Sequence, residues 1–88
     1  MKIVLIYELA PGGLGKALAC YDAYRARLEA FHEQGLLLMA GPLGMPPEGA
    51  MGIFTHREAA EDFMKEDPLI LNGVVSKTRL LEWNDILG

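Results

Sequence analysis

Two short stretches are apolar without alternation, and they constrain the fold more than anything else in the chain. KIVLIY, residues 2–7, is β-branched and aromatic and fits a strand, with Ile3, Leu5 and Tyr7 on one face and Val4 and Ile6 on the other. LLLMAGP, residues 36–42, reads as a second strand of the same kind. Both strands want cover on both sides. An 88-residue chain is one domain, residues 1–88, and at this size folding buries only about 60 to 65% of the surface the unfolded chain exposes. Hydrophobic residues make up 51% of the chain and the mean hydropathy is +0.17. That is more apolar surface than one small monomer can hide, so part of it is expected to meet a second subunit.

The remaining elements follow from periodicity and punctuation. APGGLG breaks the first strand, and from about Leu18 to Gln34 the spacing is helical, with either Gly15 or Asp22 near its cap, Tyr21, Tyr24, Leu28 and Phe31 on one stripe and Gly35 placed to end it. LGMPPEG connects the second strand to a short third, AMGIF, which predicts a hairpin. Thr55 and Glu58 read as T-x-x-E, a capping box at the start of a second helix from about His56 to Glu66, whose apolar side is Ala59, Ala60, Phe63 and Met64. A proline disfavours helical geometry in the residue before it, so this helix stops at Asp67, ahead of Pro68, and the aliphatic residues Leu69, Ile70 and Leu71 enter a turn. VVSKTRLLEW is the fourth strand, with enough polar residues for an edge. The order βαββαβ is the ferredoxin-like α+β arrangement, one antiparallel sheet with two helices on one face. Its other face is bare, and a face-to-face homodimer is the economical way to cover it.

Several classes are excluded by composition. Net charge is −4 and the eight basic residues are scattered, so no nucleic-acid partner is expected. No segment approaches the roughly 20 apolar residues needed to span a bilayer, and Glu8 cuts the N-terminal apolar run to strand length, which argues against a signal peptide. The single cysteine, Cys20, offers no disulfide or CxxC pair and fits a reducing cytoplasm as an inert thiol. His32 and His56 lack metal-ligand spacing, and no metal is expected. His32 instead suits the helix dipole in a last turn. PGGLG matches no phosphate or dinucleotide fingerprint; it reads as a flexible loop at the mouth of a cleft, and no cofactor is expected.

AYRARLEAFHEQGLLLMAGP followed by FTHREAAEDFMKEDP resembles the YCII-related family, small proteins of the dimeric α/β-barrel type, over nearly the whole chain. The matching pieces are Arg27 and Leu28, the Gly35 turn, Ala40 to Pro42, Glu58 to Ala60, and the pair Asp67 and Pro68. The resemblance implies a site at a cleft between helices and sheet, where a helix-one histidine and the aspartate of the Asp-Pro pair form a proposed active-site dyad. The aspartate carries over to Asp67. The histidine does not: Tyr24 stands in its place, and a phenol with an ordinary pKa of about 10 is a poor resting base.

Two readings follow. In the first, Asp67 is a carboxylate acid or base and Tyr24 its hydrogen-bonding partner. Tyr7, Arg27, Leu69 and Ile70 then contact a small, partly apolar molecule, with lyase, isomerase or hydrolase chemistry by analogy with the family. In the second, Asp67 is helix-end punctuation, Tyr24 is a packed aromatic, and the protein is a non-catalytic homodimeric small-ligand-binding or assembly module.

Overall fold

A computed structural model describes all 88 residues. Strand β1 spans Lys2–Leu9, helix α1 Gly13–Glu33, β2 Leu37–Leu43, β3 Gly49–Phe54, helix α2 Arg57–Lys65, a short helix α3 Pro68–Leu71, and β4 Val75–Trp83. The four strands form one antiparallel sheet in the order β2-β3-β1-β4. This is the ferredoxin-like α+β fold, with β4 at an edge and β2 and β3 joined as a hairpin. No helix is long and apolar enough to cross a membrane.

The register divides β1 by parity. Ile3, Leu5 and Tyr7 point under the helices and are buried, facing Phe54, Gly52 and Ala50 across the β3 ladder. They join Phe63, Ala59 and Ala60 of α2 and Leu69 and Val74 in one hydrophobic core. Phe31, Phe54, Phe63 and Tyr24 meet edge-on or tilted at its centre, with ring centroids 5.2 to 6.5 Å apart. On the helix-free face, Val4 pairs with Ile53 and Leu81, and Ile6 with Met51. Met39, opposite Ile53, and Trp83, opposite Lys2, extend this apolar face; Met39 is 68% exposed and Trp83 42%.

Four expectations are corrected. Helix one begins at Gly13 rather than near Leu18, so most of the glycine-rich segment is helix and not a loop at a cleft mouth. The reason is tertiary: Gly12 adopts φ +73, and Gly13 lies so close to the Val74 carbonyl that a side chain would collide with it. The capping box does not form. The N-cap is His56, one residue late for a Thr55–Glu58 box, and the Thr55 hydroxyl bonds His56 Nδ1 at 2.9 Å, while the Thr55 amide is held by the Leu36 carbonyl. The second strand is not buried on both sides but lies at a sheet edge, where only Leu37 is fully covered. The aliphatic turn after Asp67 is itself a helical turn, α3, with Pro68 at its start.

Gly49 controls where Tyr7 sits, because a Cβ at that position would strike the Tyr7 carbonyl. Gly49→Ala should therefore destabilise the fold by about 1 to 3 kcal/mol through overpacking, measured by urea unfolding.

Candidate functional site

Asp67 is placed by the break between two helices. Helix α2 ends at Lys65, Asp67 takes an extended conformation (φ −70, ψ 119), and its Oδ1 accepts the Leu69 N–H at 2.9 Å as the cap of α3. Its Oδ2 accepts the hydroxyl hydrogen of Tyr7, which arrives from β1 sixty positions away. Asp67 is 0% exposed and Tyr7 3%. Burial pushes the Asp67 carboxyl above its ordinary range; the Tyr7 hydroxyl, the Leu69 amide and the Arg27 charge pull it back without cancelling the shift. Tyr7 is raised far above an ordinary phenol, first by burial and then by its bond to Asp67. Tyr24 is raised as well, by burial and then by the charges of Asp67 and Tyr21.

Two spaces adjoin this cluster. A chamber of about 10 Å³ lies between Tyr7, Tyr24, Leu28, Phe54 and Phe63. A groove of about 580 Å³ runs between α1 and the β2–β3 hairpin, walled by Leu14, Leu18, Leu28, Ala40, Ala50 and Leu69. Tyr24 borders both. Its hydroxyl forms no hydrogen bond within the chain: the expected hydrogen bond between Tyr24 and Asp67 is absent, and Tyr7 takes that place because β1 brings its hydroxyl onto the carboxyl.

The structure thus gathers Tyr7, Tyr24, Asp67 and Leu69, with Asp67 sealed behind the others and lining neither space. Arg27 and Ile70 line neither space, contrary to the contact expected of them. Ile70 packs against the core. Arg27 is committed to α2: its guanidinium donates to the carbonyls of Phe63 at 3.0 Å and Asp62 at 2.8 Å and lies over the Phe31 ring at 4.9 Å. His32 is a groove residue that sequence reasoning missed. Its Nδ1 donates to the Leu37 carbonyl at 2.8 Å, and it falls four positions after Leu28 on the α1 stripe, the one signal that pointed to it.

The family model for the YCII-related domain matches residues 1–84, and the chain belongs to that family. Among solved structures it is similar to 5-chloro-2-hydroxyhydroquinone dehydrochlorinase (TftG) from Burkholderia phenoliruptrix in complex with 2,5-dihydroxybenzoquinone. The TM-score is 0.79 at 20% identity, over 96% of this chain and 94% of that one. A protein from Agrobacterium tumefaciens matches with a TM-score of 0.54 at 10% identity, over 97% of this chain and 94% of that one. These likenesses establish the fold. No curated protein matches the sequence.

The raised Asp67 carboxyl has a measurable consequence for stability. The folded protein holds this proton more tightly than the unfolded chain, whose aspartate titrates near 3.9. Its contribution is therefore fully present below about pH 4 and is lost as pH rises from there through the folded value. Asp67→Asn should flatten that part of the pH–stability curve, read by urea unfolding of both proteins at a series of pH values.

Proposed function

We propose that the groove beside α1 binds a small, partly apolar molecule, with Tyr24 as its hydrogen-bonding contact, Leu69 in the wall and the buried carboxyl of Asp67 behind it as the acid or base. The observation that carries this reading is Tyr24, unpartnered within the chain and lining the groove, close to a fully buried carboxyl whose proton affinity burial raises. Acid/base chemistry of lyase, isomerase or hydrolase type suits such a cluster. Elimination of the kind named for the dehydrochlorinase, in which a proton leaves with a halide, is one member of that class and acts on a small hydroxylated ring. The histidine expected at position 24 of such a site is a tyrosine here, so the acid/base work falls on Asp67.

The sealed position of Asp67, which lines neither space, favours a second reading, a non-catalytic homodimeric binding or assembly module. Both readings include the homodimer, in a cytoplasmic setting that the lone thiol of Cys20 suits. Its support is the apolar face formed by Val4, Ile6, Met39, Met51, Leu81 and Trp83 on the side of the sheet without helices. Light scattering at micromolar concentration should give twice the chain mass of 9.7 kDa; a stable monomer would remove the dimer from both readings.

Tyr24→His separates the two. If the cleft retains proton transfer, the variant should gain ligand affinity or turnover with a midpoint near pH 6 to 7, roughly the histidine range. The gain should vanish when Asp67→Asn is added. A folded Tyr24→His protein whose imidazole titration is unaffected by Asp67→Asn, followed by NMR, decides for the non-catalytic module.

A further inference from the structure

We infer that the groove takes an elongated molecule held at two points. One end meets the Tyr24 hydroxyl, and a hydrogen-bond donor at the other end is accepted by His32 Nε2, two turns further along α1. The inference rests on the reading of the groove as a ligand site and adds to it a second contact residue and the length of the ligand.

The start of β2 sets the imidazole for this role. His32 Nδ1 lies 2.8 Å from the Leu37 carbonyl oxygen. A carbonyl only accepts, so Nδ1 carries the hydrogen, and in the neutral ring the lone pair is left on Nε2. Nε2 makes no hydrogen bond within the chain, and the exposed side chain lines the groove.

The polar side chains on the groove wall are Tyr21, Tyr24, Arg25, Glu29 and His32. Arg25 donates to Glu29 at 3.0 Å and to the Tyr21 hydroxyl at 3.4 Å, so these three are engaged with one another. The Tyr24 hydroxyl and His32 Nε2 remain as the points at which a ligand's polar groups can be met, and neither is charged while the imidazole is neutral. Tyr24, Leu28 and His32 follow at steps of four along one face of α1. Eight residues of helix separate the two polar points by about 12 Å along the axis. Leu28 lies between them, and Leu37 and Ala40 of β2 belong to the same wall, so the stretch between the two polar points is apolar.

Volume agrees with the span. The groove holds about 580 Å³, whereas an apolar cavity of about 150 Å³ is enough for benzene. A single ring at Tyr24 leaves most of the groove empty and His32 unmet. The molecule that meets both points is uncharged, apolar along its middle, and a hydrogen-bond donor at the His32 end, as a two-ring compound or an extended chain with polar ends would be.

The test uses phenol, 4-hydroxybiphenyl and 4,4′-dihydroxybiphenyl as probes, with affinity read by NMR titration at neutral pH. 4-Hydroxybiphenyl should bind more tightly than phenol, and the second hydroxyl of 4,4′-dihydroxybiphenyl should add at least about fivefold. His32→Asn keeps an amide N–H for the Leu37 carbonyl but has no Nε2, so it should remove most of that added factor and leave 4-hydroxybiphenyl binding unchanged. A merely structural His32 would leave the factor in place. In the unmodified protein the factor should also fall away as pH drops through the His32 titration, followed by ¹⁵N NMR, because an imidazolium has no lone pair to offer. The charged neighbours of His32 along α1 are Glu29 and Glu33, with Arg25 two turns back, and β2 and β3 carry no titratable side chain. A factor that survives His32→Asn or persists through the His32 titration overturns the contact, as does a neutral imidazole with its hydrogen on Nε2. Phenol binding as tightly as 4-hydroxybiphenyl overturns the ligand's length and leaves the groove reading standing. Failure of all three probes to bind overturns the groove reading beneath it.

Discussion

The hydrogen bond from the Tyr7 hydroxyl to the Asp67 carboxyl is the interaction on which the rest of this structure turns. It ties the central strand β1 to the junction between α2 and α3, and it does so inside the hydrophobic core. An ionised carboxylate left unpaired there costs several kcal/mol, and hydrogen bonds to a charged group return about 1.5 to 3 kcal/mol each. With one bond from Tyr7 and one from the Leu69 amide, Asp67 is satisfied on both oxygens yet still proton-hungry. The same pair thus fixes the helical break in place and stores a proton-binding group behind the groove.

Sheet parity then divides the work of the two faces. One face of β1 holds Tyr7 under the helices with the core; the other holds Val4 and Ile6 among half-covered apolar neighbours. Helix α1 covers the β2–β3 hairpin only partly, which leaves the groove along Leu14, Leu18 and Tyr24. Arg27 keeps the two long helices together by capping the carbonyls at the end of α2, so the groove wall is held from behind. Two apolar surfaces therefore remain on opposite sides of one small domain, which is where the excess hydrophobic composition goes.

The order of elements was legible because each strand carried its own signal and each helix a stripe: Ile3, Leu5 and Tyr7 on one side of β1, Tyr24, Leu28 and Phe31 along α1. What escaped was set by distant partners. Gly13 is helical because it packs on the backbone of Val74, sixty-one positions away, which glycine's own propensity argues against. Thr55 fails as a cap because its amide is held by Leu36 at the end of the sheet. At the site, Asp67 announced itself through Pro68 and Tyr7 reads as a ligand-contacting wall residue, but the sequence pairs Asp67 with Tyr24, and only the register of β1 brings the Tyr7 hydroxyl to it instead. Nothing local to Arg27 showed that its guanidinium would be consumed by the end of α2, or that His32 would border the groove.

The measurement that bears most directly on this account is the proton spectrum of the Tyr7 hydroxyl in the unmodified protein. A hydroxyl donating to a buried carboxylate should give a far-downfield resonance that exchanges slowly with water and shows a nuclear Overhauser contact to the Leu69 amide; Asp67→Asn should move it strongly upfield. A Tyr7 hydroxyl that exchanges too fast to be seen, with no change on Asp67→Asn, would mean that the carboxylate is open to solvent and that no sealed acid or base lies behind the groove.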